Sequence, residues 1–349
     1  MRPEPTRIEP IFSPRIWGAR SLAPLFSEKT NLAEPIGEAW LTGVDCRVAT
    51  GPFAGKTLGE AWKEMPAEWR GTRLASTPRF PLLVKFIFPA DKLSIQVHPD
   101  DAYAAAHEQA AGGRGKTEMW HAVSADSGSR VLIGLVQEAN EETFLRAIET
   151  HTLEDLFLHW RVQPGDTFFV PAGTPHTIGP GMILCEVQEY SDLTYRVYDY
   201  GRVDARGKPR ELHIQKALNV IQFGRPRGGK TSQIRLPVQK LHRSLLAACR
   251  YFATERWKNF GTLETQSDAD HFDLLVVLTG SGDFTWDGGI AKYQSGHCWF
   301  VPASLGQFAL HTKEPTKLLR IYVPDLAALR ATLKQEGDYV QTIAKTVFD

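Results

Sequence analysis

The chain has 349 residues, of which 42% are hydrophobic and 23% charged, a composition typical of a folded globular protein with one large or two moderate domains. The 40 lysines and arginines balance the 40 aspartates and glutamates, so the net charge offers no general attraction to nucleic acids or acidic membranes. We therefore expect partners of neither kind, and a small-molecule ligand that is bound by local charges.

The N-terminus and the cysteines favour a location inside the cell. The first ten residues contain charges and three prolines but no apolar core of a signal peptide, and no run of 18 apolar residues occurs. The four cysteines, at positions 46, 185, 249 and 298, have no CxxC spacing, which argues against a disulfide framework or a cysteine-based zinc site. These features predict a cytoplasmic protein.

Short runs rich in β-branched and aromatic residues, separated by Gly, Pro and Asp, dominate the chain and predict a mainly β protein. The clearest predicted strands lie at 81–88, 129–136, 166–173 and 271–280. Helical periodicity is less frequent and predicts helices at 58–69, 100–111, 140–148, 211–222 and 325–335.

The stretch LSIQVHPDD, at 93–101, predicts a strand with one unusual face. Its period of two places Leu93, Ile95 and Val97 on one side, and Ser94, Gln96 and His98 on the other. A solvated strand face more often carries Lys, Glu or Thr than a Gln and a His two residues apart. The polar side therefore needs a partner from elsewhere in the chain.

The chain contains an internal repeat. Residues 162–188 align with 293–323, and both copies share a glycine followed, after five residues, by a proline, at Gly165 and Pro171 and at Gly296 and Pro302. The first copy continues as Pro-x-Gly-x-x-His and ends at His176, whereas the second has Ser304 and Gln307 in place of the Gly and the His. Two similar β-domains are implied, and only the first keeps the histidine.

The pattern G-x5-P-x-G-x-x-H resembles the second motif of the cupin superfamily. Its glycines permit tight turns, and its Pro-x-Gly turn projects the histidine into the mouth of a β-barrel. The resemblance implies two jelly-roll β-barrels with helical insertions, the second of them degenerate. Turn-forming and charged residues cluster at 223–237. We therefore predict an N-terminal catalytic cupin domain at 1–232 and a C-terminal degenerate one at 233–349.

Cupins place metal ligands on one strand as H-x-H, then a Glu, and then the motif histidine. The matching residues here are Gln96, His98, Glu118 and His176, two nitrogen and two oxygen donors that suit zinc or a similar divalent ion. Taken singly, such a His is more often a hydrogen-bonded structural residue and such a Glu an ion-pair partner, but their joint order favours a metal site. A single carboxylate would leave the site with net positive charge, which can stabilise an oxyanion.

Together with its flanking sequences, this set of residues makes the chain resemble the type I phosphomannose isomerases in their short bacterial form. The matching stretches, which together span about residues 12–220, are FSPRIWGARSL, IGEAWLTG, PLLVKFIFPADKLSIQVHPDD, GKTEMW, VPAGTPHTIGPGMILCEVQEYSDLTYRVYDYGR and RELHIQKAL. The resemblance implies the interconversion of mannose 6-phosphate and fructose 6-phosphate, with one zinc ion per chain held by the four residues above.

The same resemblance implies roles for six further residues. Catalytic roles fall on Arg196, Lys116 and Glu186, and contacts to the sugar phosphate fall on Ser94, Lys85 and Arg202. The chain departs from larger family members at Gly115–Thr117 and in VYDYGR after Arg196, which affects the phosphate contacts more than the metal ligands. Arg210, His213 and Lys216 are interpreted as the solvated face of a helix.

An isomerase of this kind passes through an enediol, which requires an electrophile at the oxygens and a base beside the carbons. The base is either Glu186 or a metal-bound water. Alternatively, Glu186 only orients Arg196, and Arg196 in turn only braces its strand.

Two other functions fit parts of this pattern. An iron dioxygenase prefers two histidines and one carboxylate, which Gln96 argues against. A non-catalytic sugar-binding cupin would not need Lys116, Arg196 and a metal together. The sequence makes no prediction of oligomeric state.

Overall fold

The computed structural model describes residues 1–203, 207–225, 227–236, 242–259, 261–336 and 340–349. As predicted, the protein is mainly β. The strands of the first part are β1 (Thr6–Ile8), β2 (Ile11–Ala19), β3 (Ile36–Trp40), β4 (Leu82–Ile87), β5 (Ile95–Val97), β6 (Glu118–Ala125), β7 (Arg130–Leu135), β8 (Phe157–Arg161), β9 (Thr167–Val170), β10 (His176–Ile178), β11 (Met182–Glu189), β12 (Tyr195–Tyr198) and β13 (Gly229–Lys230).

The remaining strands and the helices follow in chain order. The strands are β14 (Ile234–Leu236), β15 (His242–Ala248), β16 (Ala253–Asn259), β17 (Thr262–Gln266), β18 (Asp273–Thr279), β19 (Ser281–Trp286), β20 (Gly289–Gln294), β21 (Cys298–Val301), β22 (Gln307–Thr312) and β23 (Thr316–Tyr322). The helices are α1 (Leu58–Glu64), α2 (Ala67–Arg70), α3 (Asp101–His107), α4 (Glu141–Glu149), α5 (Ile214–Leu218), α6 (Leu326–Glu336) and α7 (Val340–Ile343).

The strands form four antiparallel sheets in two pairs. The first large sheet has the order β13-β9-β6-β11-β4-β3-β2, and the first small sheet has the order β12-β5-β10-β7-β8. The second large sheet has the order β1-β21-β18-β23-β16-β15-β14, and the second small sheet has the order β17-β22-β19-β20. The two large sheets therefore repeat one topology, in which β9 and β21, the strands of the repeated Gly-x5-Pro sequence, hold the same place.

Apolar side chains fill the spaces between facing sheets. Trp120 and Phe168 pack between the first large and first small sheets, and Phe284 and Trp299 between the second pair. The most extensive core joins the two large sheets and includes Phe86, Phe169, Phe252, Phe272 and Phe300. Strand β1 comes from the N-terminal end of the chain but pairs with β21 in the second large sheet.

Local signals explain where several elements begin and end. Thr57 and Glu60 form a capping box at the start of α1, and Asp100 accepts a hydrogen bond from the Tyr103 backbone at the start of α3. The strand predicted at 93–101 is shorter than expected, because the chain leaves β5 for Pro99 and the Asp100 cap. The helix predicted at 211–222 is also shorter and covers only α5.

Candidate metal centre

Three strands bring the polar residues of the first sandwich to one point. Strand β5 carries Gln96 and leads directly to His98, while β10 begins at His176, which pairs with Gln96 in the first small sheet. Glu118 is the first residue of β6 in the first large sheet. The polar side of LSIQVHPDD therefore faces a carboxylate from the opposite sheet.

The distances between these side chains are those of a cluster that can hold a metal ion. Nε2 of His98 lies 3.4 Å from Glu118 Oε1, and Nε2 of His176 lies 3.6 Å from Glu118 Oε2. The possible ligand atoms of the three residues all lie within 4.8 Å of one another. Nε2 of Gln96 lies 3.3 Å from Nε2 of His176. His98, Glu118 and His176 are at most 1% exposed.

Backbone carbonyls orient both imidazole rings. Nδ1 of His98 lies 2.8 Å from the carbonyl oxygen of Leu193, and Nδ1 of His176 lies 2.8 Å from that of Thr174. If each Nδ1 carries the proton that it donates there, each Nε2 presents a lone pair to the centre, which is the usual arrangement around a bound metal. Burial lowers the pKa of His176 to about 4 and the pKa of His98 well below its ordinary value, so both rings are neutral near pH 7.

Glu118 lacks the donors that a buried carboxylate requires. Among the described residues, neither of its oxygens accepts a hydrogen bond, although Lys116 Nζ forms an ion-pair contact of 2.7 Å with Oε1 outside hydrogen-bond geometry. The same ammonium lies 3.4 Å from His98 Nε2. A buried carboxylate between two imidazole lone pairs is a donor set that fits a divalent cation.

Glu186 lies beside this cluster on β11. Its Oε2 accepts a hydrogen bond of 3.0 Å from Trp120 Nε1, and its Oε1 lies 3.9 Å from Lys85 Nζ. Burial, together with the charge of Glu118, raises the pKa of Glu186 to about 7. No hydrogen bond or ion pair within the described chain joins Glu186 to Arg196, whose guanidinium instead donates to Ser94 Oγ and to the carbonyl of Glu211.

Lys85 is enclosed by carboxylates. Its Nζ lies 3.2 Å from Asp192 Oδ1 and 4.0 Å from Glu38 Oε1, in addition to the contact with Glu186. The residue is 1% exposed. Burial by itself would lower the pKa of Lys85, but the negative charges of Glu38, Asp192 and Glu186 raise it, so the ammonium stays charged.

A group of arginines lies on and after β12, the strand in which Arg196 pairs with Gln96 of β5. Arg196 Nε donates to Ser94 Oγ at 3.3 Å, which joins two of the predicted residues. Arg202 donates to Asp199 Oδ1 at 2.6 Å, and Arg210 Nε donates to Asp199 Oδ2 at 2.8 Å. Burial would raise the pKa of Asp199, but these hydrogen bonds lower it. Arg202 also pairs with Asp91 Oδ2 at 3.3 Å, so three guanidinium groups face two carboxylates, and the remaining positive charge of about +1 favours an anion such as phosphate.

Asp199 and Arg210 were not among the predicted site residues. The interpretation of Arg210 as part of a solvated helix face is wrong, because Arg210 precedes α5 and its guanidinium is bound to the 6% exposed Asp199. A signal was present in the sequence, since both residues lie in stretches that carry the family resemblance. Charge alone does not show which of several nearby arginines shares an aspartate.

No helix within the described ranges is long and apolar enough to cross a membrane.

Comparisons with known proteins identify the family of the chain. Residues 6–127 match the family model for the catalytic domain of type I phosphomannose isomerase. The chain is 33% identical to the mannose-6-phosphate isomerase ManA of Bacillus subtilis over 89% of this chain and 96% of that protein. It is 36% identical to the mannose-6-phosphate isomerase of Streptococcus mutans over 81% of this chain and 87% of that protein.

Solved structures show the same similarity. The crystal structure of a mannose 6-phosphate isomerase from Bacillus subtilis superposes with a TM-score of 0.82 at 30% identity, over 91% of this chain and 99% of that one. An Archaeoglobus fulgidus structure at 21% identity shares the fold, with a TM-score of 0.72. Fold and site together define a mainly β protein with a buried His/Glu/His cluster suited to a metal ion. The chain belongs to the type I phosphomannose isomerase family, as the sequence resemblance predicted.

Proposed function

We propose that the protein is a metal-dependent aldose–ketose isomerase that interconverts mannose 6-phosphate and fructose 6-phosphate through an enediol. The observation that carries this proposal is the buried Glu118 carboxylate, whose oxygens lie 3.4 Å and 3.6 Å from the Nε2 atoms of His98 and His176. The sequence similarity to named mannose-6-phosphate isomerases supports the choice of substrate.

The residues proposed to hold the cation are Gln96, His98, Glu118 and His176. A half-turn of the Gln96 amide exchanges its two end atoms, so that Oε1 replaces Nε2 beside His176 and completes a set of two nitrogen and two oxygen donors. This donor set suits zinc, one ion per chain. When bound, the cation would act as a Lewis acid that polarises the substrate oxygens.

Glu186 is proposed as the group that removes a proton from one carbon and returns it to the neighbouring carbon. A carboxyl with a pKa near 7 can both accept and release a proton near neutral pH. Lys85 holds Glu186 in place through the contact of 3.9 Å, and its 1% exposure favours this positioning role over a direct contact with phosphate. Lys116, directly beside Glu118, is proposed to stabilise negative charge on the substrate oxygens.

The substrate phosphate is proposed to bind at Ser94, Arg196 and Arg202, with Arg210 adding charge and Asp199 holding the guanidinium groups of Arg202 and Arg210 side by side. Such charge-assisted contacts position a phosphate strongly. We also propose that the two halves are cupin domains at 1–232 and 233–349, which the repeated order of the two large sheets supports.

The proposal is tested with purified protein in an assay that couples ketose formation from mannose 6-phosphate to a measurable product. We expect activity to disappear after chelation, to return with zinc, and to follow a metal content of one ion per chain. Turnover that persists in metal-free protein would contradict metal dependence, and metal binding without turnover would favour a sugar-binding cupin.

A matched pair of variants tests the location of the site. His176→Ala should lose both metal and turnover, because it removes one of the buried donors. Gln307→Ala, at the equivalent place in the second repeat, should keep both, because Gln307 is exposed and its side chain donates to Gln266 on the neighbouring strand. Equal behaviour of the two variants would show that the first sandwich is not the single functional one.

A further inference from the structure

A crevice of about 130 Å³ lies between the two large sheets, away from the metal centre. One wall is formed by β6 and the turn before β9, with His121 and Gly165, and the other by strands of the second large sheet. Three cationic side chains project into it, from Arg256 and Lys258 on β16 and from Lys317 on β23.

The cations of the crevice oppose one another without an acidic partner. Lys258 and Lys317 are direct cross-strand neighbours, an arrangement that destabilises a sheet when both residues carry the same charge. Among the residues that the structure describes, Arg256 donates to neutral oxygens, at 2.6 Å to Gln233 Oε1 and at 3.4 Å to the Gly165 carbonyl, and its Nε has no hydrogen-bond partner. Within the described residues no carboxylate forms an ion pair with any of the three.

The positive charge extends to the neighbouring groups. The pKa of His121 is lowered to about 3, by burial and then by Arg256, Lys258 and Lys317. The pKa of Lys258 is lowered chiefly by the charge of Arg256. Asp166, in the turn beside Gly165, is already paired with Lys230 at 2.7 Å. The crevice therefore presents unbalanced positive charge in a concave space between two packed sheets.

We propose that this crevice is a second anion site, which binds a phosphate-sized dianion between Arg256, Lys258 and Lys317. Its volume suits inorganic phosphate and is small for a whole sugar phosphate. The hydroxyl of Thr279, which also lines the crevice, offers a further donor. A bound dianion offsets the repulsion between the facing lysines and joins the two large sheets. The inference is independent of the isomerase function proposed above.

The test compares the wild type with Lys258→Gln/Lys317→Gln, using inorganic phosphate as the ligand and sodium chloride at matched ionic strength as the reference. In calorimetric titration the double variant should bind phosphate at this site at least about tenfold more weakly, since hydrogen bonds to charged groups contribute strongly to affinity. Phosphate should raise the melting temperature of the wild type above its value in chloride, and this increment should shrink in the double variant.

Two controls separate this site from the active site and from a general loss of charge. Lys292→Gln/Lys334→Gln removes the same charge from exposed positions elsewhere and should bind phosphate like the wild type. The KM for mannose 6-phosphate should stay unchanged in Lys258→Gln/Lys317→Gln, because neither lysine belongs to the proposed active site. A phosphate ion bound at the active site would instead compete with the substrate. Without phosphate, the melting temperature of that variant should equal or exceed that of the wild type.

The proposal is overturned if Lys258→Gln/Lys317→Gln keeps the full phosphate increment, or if both double variants lose it equally. Should the double variant fail to fold, Lys317→Gln alone, at an exposed position, replaces it in the same measurements. A phosphate affinity unchanged in that single variant would likewise reject the site.

Discussion

The side chain of Glu118 faces three basic groups from different segments of the chain. The Nε2 atoms of His98 and His176 lie within 3.6 Å of its oxygens, and Lys116 Nζ lies at 2.7 Å. Only the ammonium carries a positive charge, because burial keeps both imidazoles neutral. At the scale of single residues, the proposed metal site can therefore be separated into groups that bind the cation and a group that acts on the substrate.

Variants of Lys116 and Glu118 should behave differently. Lys116→Met should retain the metal, because it removes a competing cation from Glu118, but should lower turnover by about 100-fold or more as an electrophile is lost. Glu118→Gln should lose both metal and turnover. Metal analysis and kcat measured on the same samples decide this. Loss of metal in Lys116→Met would assign that lysine to the metal site itself.

Glu189 provides a pH-dependent contribution to stability outside the catalytic groups. It accepts a hydrogen bond of 2.6 Å from the Thr117 backbone and shares a hydrogen bond with Asp101, and burial raises its pKa from 4.5 to about 8. Asp101 is also bonded to Tyr251 Oη at 2.6 Å, so the carboxyl pair connects α3, β11 and the second half of the chain.

The sign of this effect follows from linkage. Since folding favours the protonated form of Glu189, its stabilising contribution is complete below about pH 4.5 and is lost as the pH rises through about 8. Glu189→Gln keeps an acceptor for Thr117 and a donor for Asp101 but does not ionise. We expect the variant to be more stable than the wild type above pH 8, in denaturant unfolding followed across pH. A pH dependence identical to that of the wild type would contradict this assignment.

At the scale of elements, the turn between β9 and β10 positions His176. Gly173 has a φ of +78°, and a Cβ atom there would lie 2.8 Å from the carbonyl oxygen of Val220. Its backbone N–H donates to the carbonyl of His98 at 2.8 Å, so the same residue joins the turn to the end of the β5 segment. The glycine of the Pro-x-Gly-x-x-His motif thus holds two proposed metal ligands in register.

Two glycine variants separate backbone strain from this local packing. Gly306→Ala, at a φ of +82° with nothing near the added Cβ, should cost about 1–2 kcal/mol and leave metal binding intact. Gly173→Ala should cost more and also weaken metal binding, because the turn must move away from Val220. Unfolding free energies and metal titrations of both variants provide the measurements. If Gly173→Ala and Gly306→Ala changed stability and metal binding by the same amounts, the turn at Gly173 would have no special role in holding the metal ligands.

At the scale of the whole molecule, the two sandwiches carry charged residues at three corresponding positions, and at two of these the sign of the charge differs. Glu118 and Asp273 both pair with the valine before the repeated proline, Val170 and Val301. Two residues further along each strand, Trp120 pairs with Glu186 and Leu275 pairs with Arg320. On the next strand of each large sheet, Lys85 of β4 pairs with Glu186, and Glu255 of β16 pairs with Arg320. A carboxylate persists at the position of Glu118, while the positions of Glu186 and Lys85 have reversed their charge.

As a result, the buried acids of the second sandwich are paired with arginines of the same sandwich. Arg320 Nε lies 2.9 Å from Asp273 Oδ1, and Arg243 Nε lies 2.6 Å from Glu255 Oε2. Both acids are buried. Glu118 lies between two neutral imidazoles beside Lys116, whereas Asp273 lies against the guanidinium of Arg320 and a single imidazole, that of His271. The second sandwich lacks the paired imidazole donors of the first among the described residues, so we expect no metal to bind there.

Removal of that guanidinium should be strongly destabilising. Arg320→Met leaves Asp273 buried without its cation and should lower the free energy of unfolding by about 3–5 kcal/mol. Arg320→Met/Asp273→Asn should recover part of this loss, because the unpaired charge is removed as well. Urea unfolding of the wild type and both variants tests the idea, with the metal content of the first sandwich as a check on folding. A single variant as stable as the wild type would show that the ion pair is not needed.

Much of this protein was predictable from its sequence, because the decisive signals are local. The alternation of Ser94, Gln96 and His98 depends only on the two-residue period of a strand, and the motif ending at His176 depends on turn chemistry at fixed spacing. The repeat likewise predicted two related halves, whose large sheets share one strand order. These inferences involve interactions within one segment or a comparison of segments, so they require no knowledge of how the sheets pack.

Other properties depended on the tertiary structure, because they arise between segments that are distant in the chain. The enclosure of Lys85 by three acids and the approach of Lys258 to Lys317 are examples, since β3, β4 and β11 bring Glu38 and Glu186 to Lys85 and the register of β16 and β23 places the two lysines opposite each other. The charge on each side chain is visible in the sequence, but its energetic effect depends on burial and on distances of a few ångströms. The sequence therefore determined the kinds of groups available, and the packing of the sheets decided which of them act together.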